Sequence, residues 1–164
     1  MNIFYLDSSA VLSARMHCDK HCVKMILETA QLLSTAHRVL DGDEYADDAG
    51  LYKSTHKNHP SAVWVRQSWA NYNWAYNLLL ALCNEYTDRY NKTHKTASLL
   101  DVLHKAPDSI PRYHPHGYFT EPPQCMPDEY KDQCTVTAYR QYYLGEKMYM
   151  AKWSLPTLTP EWVV

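Results

Sequence analysis

Residues 17–38, HCDKHCVKMILETAQLLSTAHR, run for 22 positions without a glycine or a proline. The stretch is rich in Leu, Met, Lys, Glu, Gln and Ala, so it predicts one long helix. Its polar residues keep a strict spacing: His21, Lys24, Glu28, Gln31, Thr35 and Arg38 recur at gaps of 3, 4, 3, 4 and 3. Residues at those separations stack on one helix face. Most of the remaining positions, among them Cys22, Val23, Met25, Ile26, Leu27, Ala30, Leu32, Leu33 and Ala36, are apolar. An ordinary surface helix has an apolar stripe and a broad polar face. The inverted pattern predicts a helix buried on most sides, its polar seam facing a cleft. The same stripe also fits the solvated edge of a core helix, and only the placement of the seam decides between the two.

The 164 residues are one domain's worth, 1–164, long enough to bury a core without staples. No apolar run reaches the length of a membrane span, and the opening MNIFYLDSS lacks the basic start of a signal peptide. The 5 cysteines are odd in number and follow no disulfide-scaffold spacing, which fits a reducing compartment. A cytoplasmic protein with no membrane partner is the expectation. Rings are abundant: 14 Tyr, 5 Trp and 9 His stand against 2 Phe. Such amphipathic rings suit a surface that stacks on planar groups while hydrogen bonding to them, and they equally suit helix packing. The net charge of −2 and pI near 6.5 lack the basic excess of a protein gripping many DNA phosphates. A local basic patch remains compatible with both numbers.

Along the chain, residues 2–6 read as an extended arm or the lead-in to a first helix. Asp7, Ser8 and Ser9 can each cap the helix AVLSARMH that follows. Asp19 is placed to cap the long helix, where its charge is favourable. The acidic run 41–50, DGDEYADDAG, reads as a surface loop. Asn58 is a plausible cap and Pro60 sits at a first helical position. From 60 to about 90 no further Pro or Gly occurs, which predicts a second long helix with Val63, Trp64, Leu78, Leu79, Leu82 and Cys83 at helical spacing, ending at Asn91. Residues 96–105 predict a short helix closed by Pro107. The segment 107–127 holds six of the nine prolines and predicts a long surface loop, of the kind that often serves as a lid. Residues 132–153 return to helical composition, and the Pro-broken tail ends in a Trp162 expected to pack down. The expected fold is therefore an all-α, single-domain helical bundle with two long central helices and a long Pro-rich loop.

Four constellations could carry chemistry. Glu28 one turn from Lys24, with His21 a further turn away, is a workable acid/base group if half buried, and equally an ordinary helix ion pair. His59 just before a helix start lies beside free backbone amides that attract phosphate or carboxylate, and Arg66 could add a bidentate clamp; a packing His and a surface Arg fit as well. The run HCDKHC pairs His17 with His21 and Cys18 with Cys22, but further zinc ligands would have to come from Cys125, Cys134 or the His114/His116 pair at no recognised spacing. Helical cysteines are more often buried small hydrophobes, so no metal and no cofactor are expected. Finally, AYRQYYLGEKMYMAKW, 138–153, interleaves rings such as Tyr139 and Tyr143 with Arg140, Lys147 and Lys152, a mixture that can stack on a base and hold its phosphate, or pack into a core.

Taken in order, Asp19-Lys20-His21 through Lys24 and Glu28, then His59-Pro60 through Trp64, then Glu85-Tyr86 through Arg89 form a pattern that resembles the pyrimidine-dimer DNA glycosylase superfamily. That group comprises endonuclease V type phage enzymes and a broader set of bacterial and phage relatives. Tyr139 to Lys147 is similar to the aromatic, basic C-terminal segment of the phage enzymes. The resemblance implies a compact all-α fold, a catalytic carboxylate at Glu28 and a DNA-contacting histidine at His21. It also implies a nucleophile that is the α-amine of an N-terminal Thr exposed by Met removal, which attacks the sugar C1′ and forms a Schiff base. An α-amine suits this because its class pKa, about 7.7–8.0, leaves a useful neutral fraction near physiological pH. Here the chain starts Met1-Asn2. Asn is large enough for the initiator Met to stay, so Met1 is the corresponding amine.

Three functions follow as expectations. The first is an N-glycosylase and abasic-site lyase on damaged or modified DNA bases, using Glu28 and Met1, with His21, Lys24, Gln31, His59, Trp64, Arg66, Tyr139, Arg140 and Tyr143 holding the nucleotide, and with base flipping in duplex DNA. The second is a non-catalytic phage protein in a bacterial host's cytoplasm that sequesters a small cyclic or ADP-ribose type nucleotide immune signal. The third is an interaction protein whose seam is a homo-oligomer contact.

Overall fold

The computed structural model describes residues 1–112 and 117–164. Among these, helix is the regular structure: α1 (Ala10–Met16), α2 (Asp19–Asp41), α3 (Asp43–Asp48), α4 (Pro60–Gln67), α5 (Trp69–Tyr90), α6 (Leu100–Leu103) and α7 (Thr135–Glu146), with 3-10 turns at Lys95–Leu99 and Asp128–Tyr130. The all-α architecture with two long central helices is as expected. No helix of the described residues is long and apolar enough to cross a membrane.

α2 and α5 form the antiparallel centre. Asp19 lies 3.1 Å from Arg89, Cys22 Sγ donates to Leu82 O at 3.7 Å, and His37 meets Tyr72 at 3.0 Å, so opposite ends pair. α1 packs on α5 and α4 on α2. Met25, Ile26, Leu32 and Leu33 of α2 and Tyr72, Leu78, Leu79 and Leu82 of α5 are almost completely buried, and burying each large apolar side chain contributes roughly 1.5–3 kcal/mol. The N-terminal arm is core as well, with Ile3, Phe4, Tyr5 and Leu6 at most 5% exposed. Ser13 Oγ holds it, accepting from Leu6 N–H at 3.2 Å and donating to Phe4 O at 2.9 Å.

Arg89 locks the centre. Its guanidinium is fully enclosed and reaches Glu85 and Asp19, each at 3.1 Å. It also donates to the carbonyls of Arg15 and His17, which satisfies orphan acceptors at the end of α1.

Several local expectations are corrected. Asp19 is not the cap of α2; Cys18 holds that position and Asp19 is spent on Arg89 and on Ser154 of the tail. The cap of α4 is His59 rather than Asn58, because His59 Nδ1 accepts from Ser61 N–H at 3.1 Å. The helix expected over 60–90 is two helices. Ser68 takes extended φ/ψ, buries its hydroxyl on Asn71 N–H, and frees Trp69 N–H to reach Pro111 O at 2.8 Å. The acidic run is helical rather than looped at α3, since Arg38 holds Asp43 and Asp47, one turn apart, each at 2.9 Å. The helix expected over 132–153 is confined to α7. Val23 and Leu27, expected in the core, are 38% and 40% exposed. Trp162 does pack down, with its indole N–H on Met16 Sδ at 3.4 Å.

Candidate functional site

The polar seam of α2 divides. Its C-terminal part is a staple: Thr35 Oγ1 accepts from Thr55 N–H, and Arg38 donates to the carbonyls of Leu51 and Tyr52. Its N-terminal part, His21, Lys24 and Glu28, lines a cavity of about 440 Å³ together with Met1, Asn2, Phe4, His59, Cys125, Tyr142 and Lys147. Two larger clefts, about 670 and 660 Å³, run beside α1, α5 and the tail. They share Arg15, Glu85 and Asp88 but contain no amine or imidazole beside a carboxylate; a fourth cavity, about 420 Å³, does hold His37 and Lys105 beside Asp41 and Asp108, but only the cavity at Glu28 also holds the N-terminal amine.

Glu28 is at its centre. Oε2 lies 3.8 Å from the Met1 α-amino nitrogen and Oε1 lies 3.5 Å from Lys24 Nζ, while the side chain is 14% exposed. With the histidines neutral, one carboxylate stands against three cations, the Met1 amine, Lys24 and Lys147. The cavity is thus locally positive in a chain of net charge −2.

The amine is held in place through Asn2. Its Oδ1 accepts from Ile3 N–H at 2.7 Å and from the Tyr139 hydroxyl at 2.9 Å, and its Nδ2 donates to Cys125 O at 3.0 Å. The Tyr139 hydroxyl shares its proton with Pro123 O at 2.6 Å and accepts from Cys125 N–H at 3.3 Å. Tyr139 therefore joins the N-terminal arm, the Pro-rich segment and α7 at one oxygen.

His21 is clamped between Phe4, stacked at 4.3 Å, and the edge of Tyr143, with Nδ1 2.7 Å from the Tyr143 oxygen. Burial, aided by the charges of His17, Lys147 and Lys24, pushes its pKa down to about 3, so it is neutral at physiological pH. His59 is also lowered, chiefly by burial and then by the adjacent N-terminal ammonium. Because its Nδ1 accepts the Ser61 amide, the neutral ring carries its proton on Nε2.

Other expected residues lie elsewhere. Gln31 is half-buried but outside the cavity. Arg66 donates to Lys57 O at 2.7 Å, closing the turn before α4, and does not join His59 in the cavity. Trp64 is 3% exposed and donates its indole N–H to Thr120 O at 2.9 Å, so it is a core ring and not a stacking platform. Tyr139 and Tyr143 are fully buried and act through their hydroxyls. Arg140 is bound to Leu6 O and Asp7 and lies 5.6 Å from the Trp162 ring. Cys18 and Cys22 are buried in the core, and no group of three potential metal ligands comes together among the described residues. The His114/His116 pair lies outside the described residues.

Sequence reasoning missed Asn2, Phe4, Cys125 and Tyr142 as cavity residues. Asn2 alone had a signal, its place next to the amine; the others arrive through tertiary packing, Phe4 from the arm, Cys125 from the Pro-rich segment and Tyr142 from α7.

The family model described as pyrimidine dimer DNA glycosylase matches residues 1–98. No match arises among curated proteins or among solved structures. The matched stretch carries Met1, His21, Lys24, Glu28 and His59. It stops before Cys125, Tyr139, Tyr142, Tyr143 and Lys147.

Proposed function

The chain belongs to the pyrimidine dimer DNA glycosylase family, and from that premise we propose that it is an N-glycosylase with abasic-site lyase activity on a damaged or modified base in DNA. The observation that carries the reading is the α-amine of Met1 standing 3.8 Å from a half-enclosed carboxylate, Glu28, in a locally positive cavity. A neutral amine adds to C1′ of the target sugar as the bond from C1′ to the base breaks, and the base leaves with that electron pair and a proton. Glu28 accepts the proton that the nitrogen loses on bonding to carbon. Opening of the sugar ring, with O4′ taking a proton, leaves a Schiff base between the amine and C1′. Loss of a C2′ proton from it expels the 3′ phosphate. Lys24 and Lys147 offset phosphate charge at the mouth. A cavity of about 440 Å³ has room for one nucleotide and not for a duplex, so the target must be turned out of the stack.

The test is borohydride trapping on an oligonucleotide with one abasic site. A covalent adduct on the α-amine is the expected result, and Glu28→Gln should lower turnover by about 10²–10⁴-fold. The net charge of −2 favours a second reading, in which the cavity holds a small nucleotide without turnover. Absence of any adduct, with an unchanged nucleotide released from the heat-denatured protein, would select that reading.

A further inference from the structure

We infer that Tyr143 fixes His21 as its Nε2–H tautomer, so that the imidazole presents to the Met1–Glu28 cavity a hydrogen-bond donor and not a base. The Tyr143 oxygen lies 2.7 Å from His21 Nδ1, 3.1 Å from Cys18 N and 3.5 Å from Cys18 Sγ. Cys18 N–H can only donate, so the oxygen accepts from it. The single hydroxyl proton then goes either to Nδ1 or to the sulfur. Donation to the sulfur would require a protonated Nδ1 that donates to the oxygen, and would spend the hydroxyl proton on a weak acceptor at 3.5 Å. Donation to Nδ1 spends it on a strong acceptor and leaves the Cys18 thiol free to donate to the oxygen, and 2.7 Å is the usual length of a hydroxyl hydrogen bond but short for an N–H donor. Tyr143 and Cys18 are both fully buried, so no solvent replaces a bond forgone. The proton is therefore on Nδ1's side of the oxygen, Nδ1 is the acceptor, and the ring's own hydrogen is on Nε2.

The ring cannot turn to exchange the two nitrogens. Phe4 covers one face at 4.3 Å and Tyr143 abuts it at 77°. Nε2 has no hydrogen-bond partner among the described residues, and His21 lines the cavity with Lys24 and Lys147. Burial and those two ammonium groups keep the ring neutral, which preserves one donor and one acceptor on it. Resting on the proposed function for what it meets, the Nε2–H would donate to a phosphate oxygen of the nucleotide that Lys24 and Lys147 attract. Tyr143 lies beyond the stretch matched by the family, so α7 sets the polarity of a histidine that the matched stretch supplies. Tyr143 is a positioning residue in this scheme.

The experiment is nitrogen NMR of ¹⁵N-histidine-labelled protein without ligand at pH 7. The expected His21 pattern has a protonated Nε2 and a bare Nδ1, and in Tyr143→Phe it should become a mixture of tautomers. A protonated Nδ1 in the wild type overturns the inference, whatever the variant does. Binding to an oligonucleotide bearing a tetrahydrofuran abasic analogue supplies the second readout. His21→Gln, which retains a donor, should bind within about tenfold of wild type, and His21→Phe should lose more than that. Equal loss in both overturns the donor role. If the wild type shows the expected NMR pattern but does not bind the oligonucleotide, the tautomer assignment stands and the glycosylase reading fails.

Discussion

The imidazole of His17 is enclosed on all sides, donates from Nδ1 to Ser13 O at 2.7 Å and leaves Nε2 without a partner among the described residues. Burial, with Arg89 nearby, lowers its pKa to about 4. Above pH 6.5 the ring is neutral in both folded and unfolded chains and its contribution to stability is complete. As pH falls below 6.5 the unfolded chain takes up the proton first, so stability drops until about pH 4, where the folded ring also titrates. The loss is of the order of 3 kcal/mol, and His21 adds to it in the same direction. Urea midpoints should therefore fall steadily between pH 7 and pH 4.5, and His17→Asn, which keeps a donor for Ser13 O but does not titrate, should show a smaller fall. Arg89 is the other residue on which the centre depends. Arg89→Ala leaves Glu85 and Asp19 without their buried cation and should cost about 3–5 kcal/mol in urea unfolding. Arg15→Ala, on a side chain 62% exposed, should cost at most about 1 kcal/mol.

At the scale of elements, His59 has two separable duties, the cap of α4 and a face of the cavity. His59→Ser replaces one good cap by another, so its urea midpoint should stay within a few tenths of a kcal/mol of wild type while abasic-oligonucleotide binding weakens. His59→Ala should lose both, with about 1 kcal/mol of stability gone. Helix existence and the polar seam were legible in the sequence because both rest on spacing along one element. The break at Ser68 was not, since its cause is a bond from Trp69 N–H to Pro111, far away in the chain. The helical acidic run was hidden for the same reason, its determinant being the Arg38 guanidinium from α2. Trp64 and Arg66 follow His59 in sequence, yet the turn of α4 sends one into the core and the other to Lys57. α7 acts as a jig whose two tyrosines, one turn apart, hold Asn2 and His21. Tyr139→Phe should speed amide exchange at Ile3 and lower the yield of trapped adduct.

For the molecule as a whole, charge is the quantity that composition describes badly. The chain is net acidic, but many acids sit on α3 or on the rim of the Pro-rich segment, while Lys20, Lys24, Lys147 and Lys152 lie around the start of α2 and the segment that follows α7. Asp19 N–H donates to Lys152 O at 2.7 Å, which ties those two stretches together. Lys24 and Lys147 line the cavity and Lys20 and Lys152 belong to the two stretches that flank it, so together they can neutralise at most about four phosphates and the slope of log K against log salt should be no steeper than about −4. Fluorescence anisotropy of a labelled oligonucleotide between 50 and 200 mM salt, roughly the range over which such slopes are read, checks this, and Lys20→Ala with Lys152→Ala should flatten the slope by about two.

The seating of Met1 bears on how the protein can be handled. Any affinity sequence fused ahead of it would convert the free amine into a peptide nitrogen and thread extra chain through the cavity that Met1 lines. Val164, at the other end, is wholly solvent-exposed. Material purified by a C-terminal handle should be competent in trapping, whereas material carrying an uncleaved N-terminal one should be inert although correctly folded.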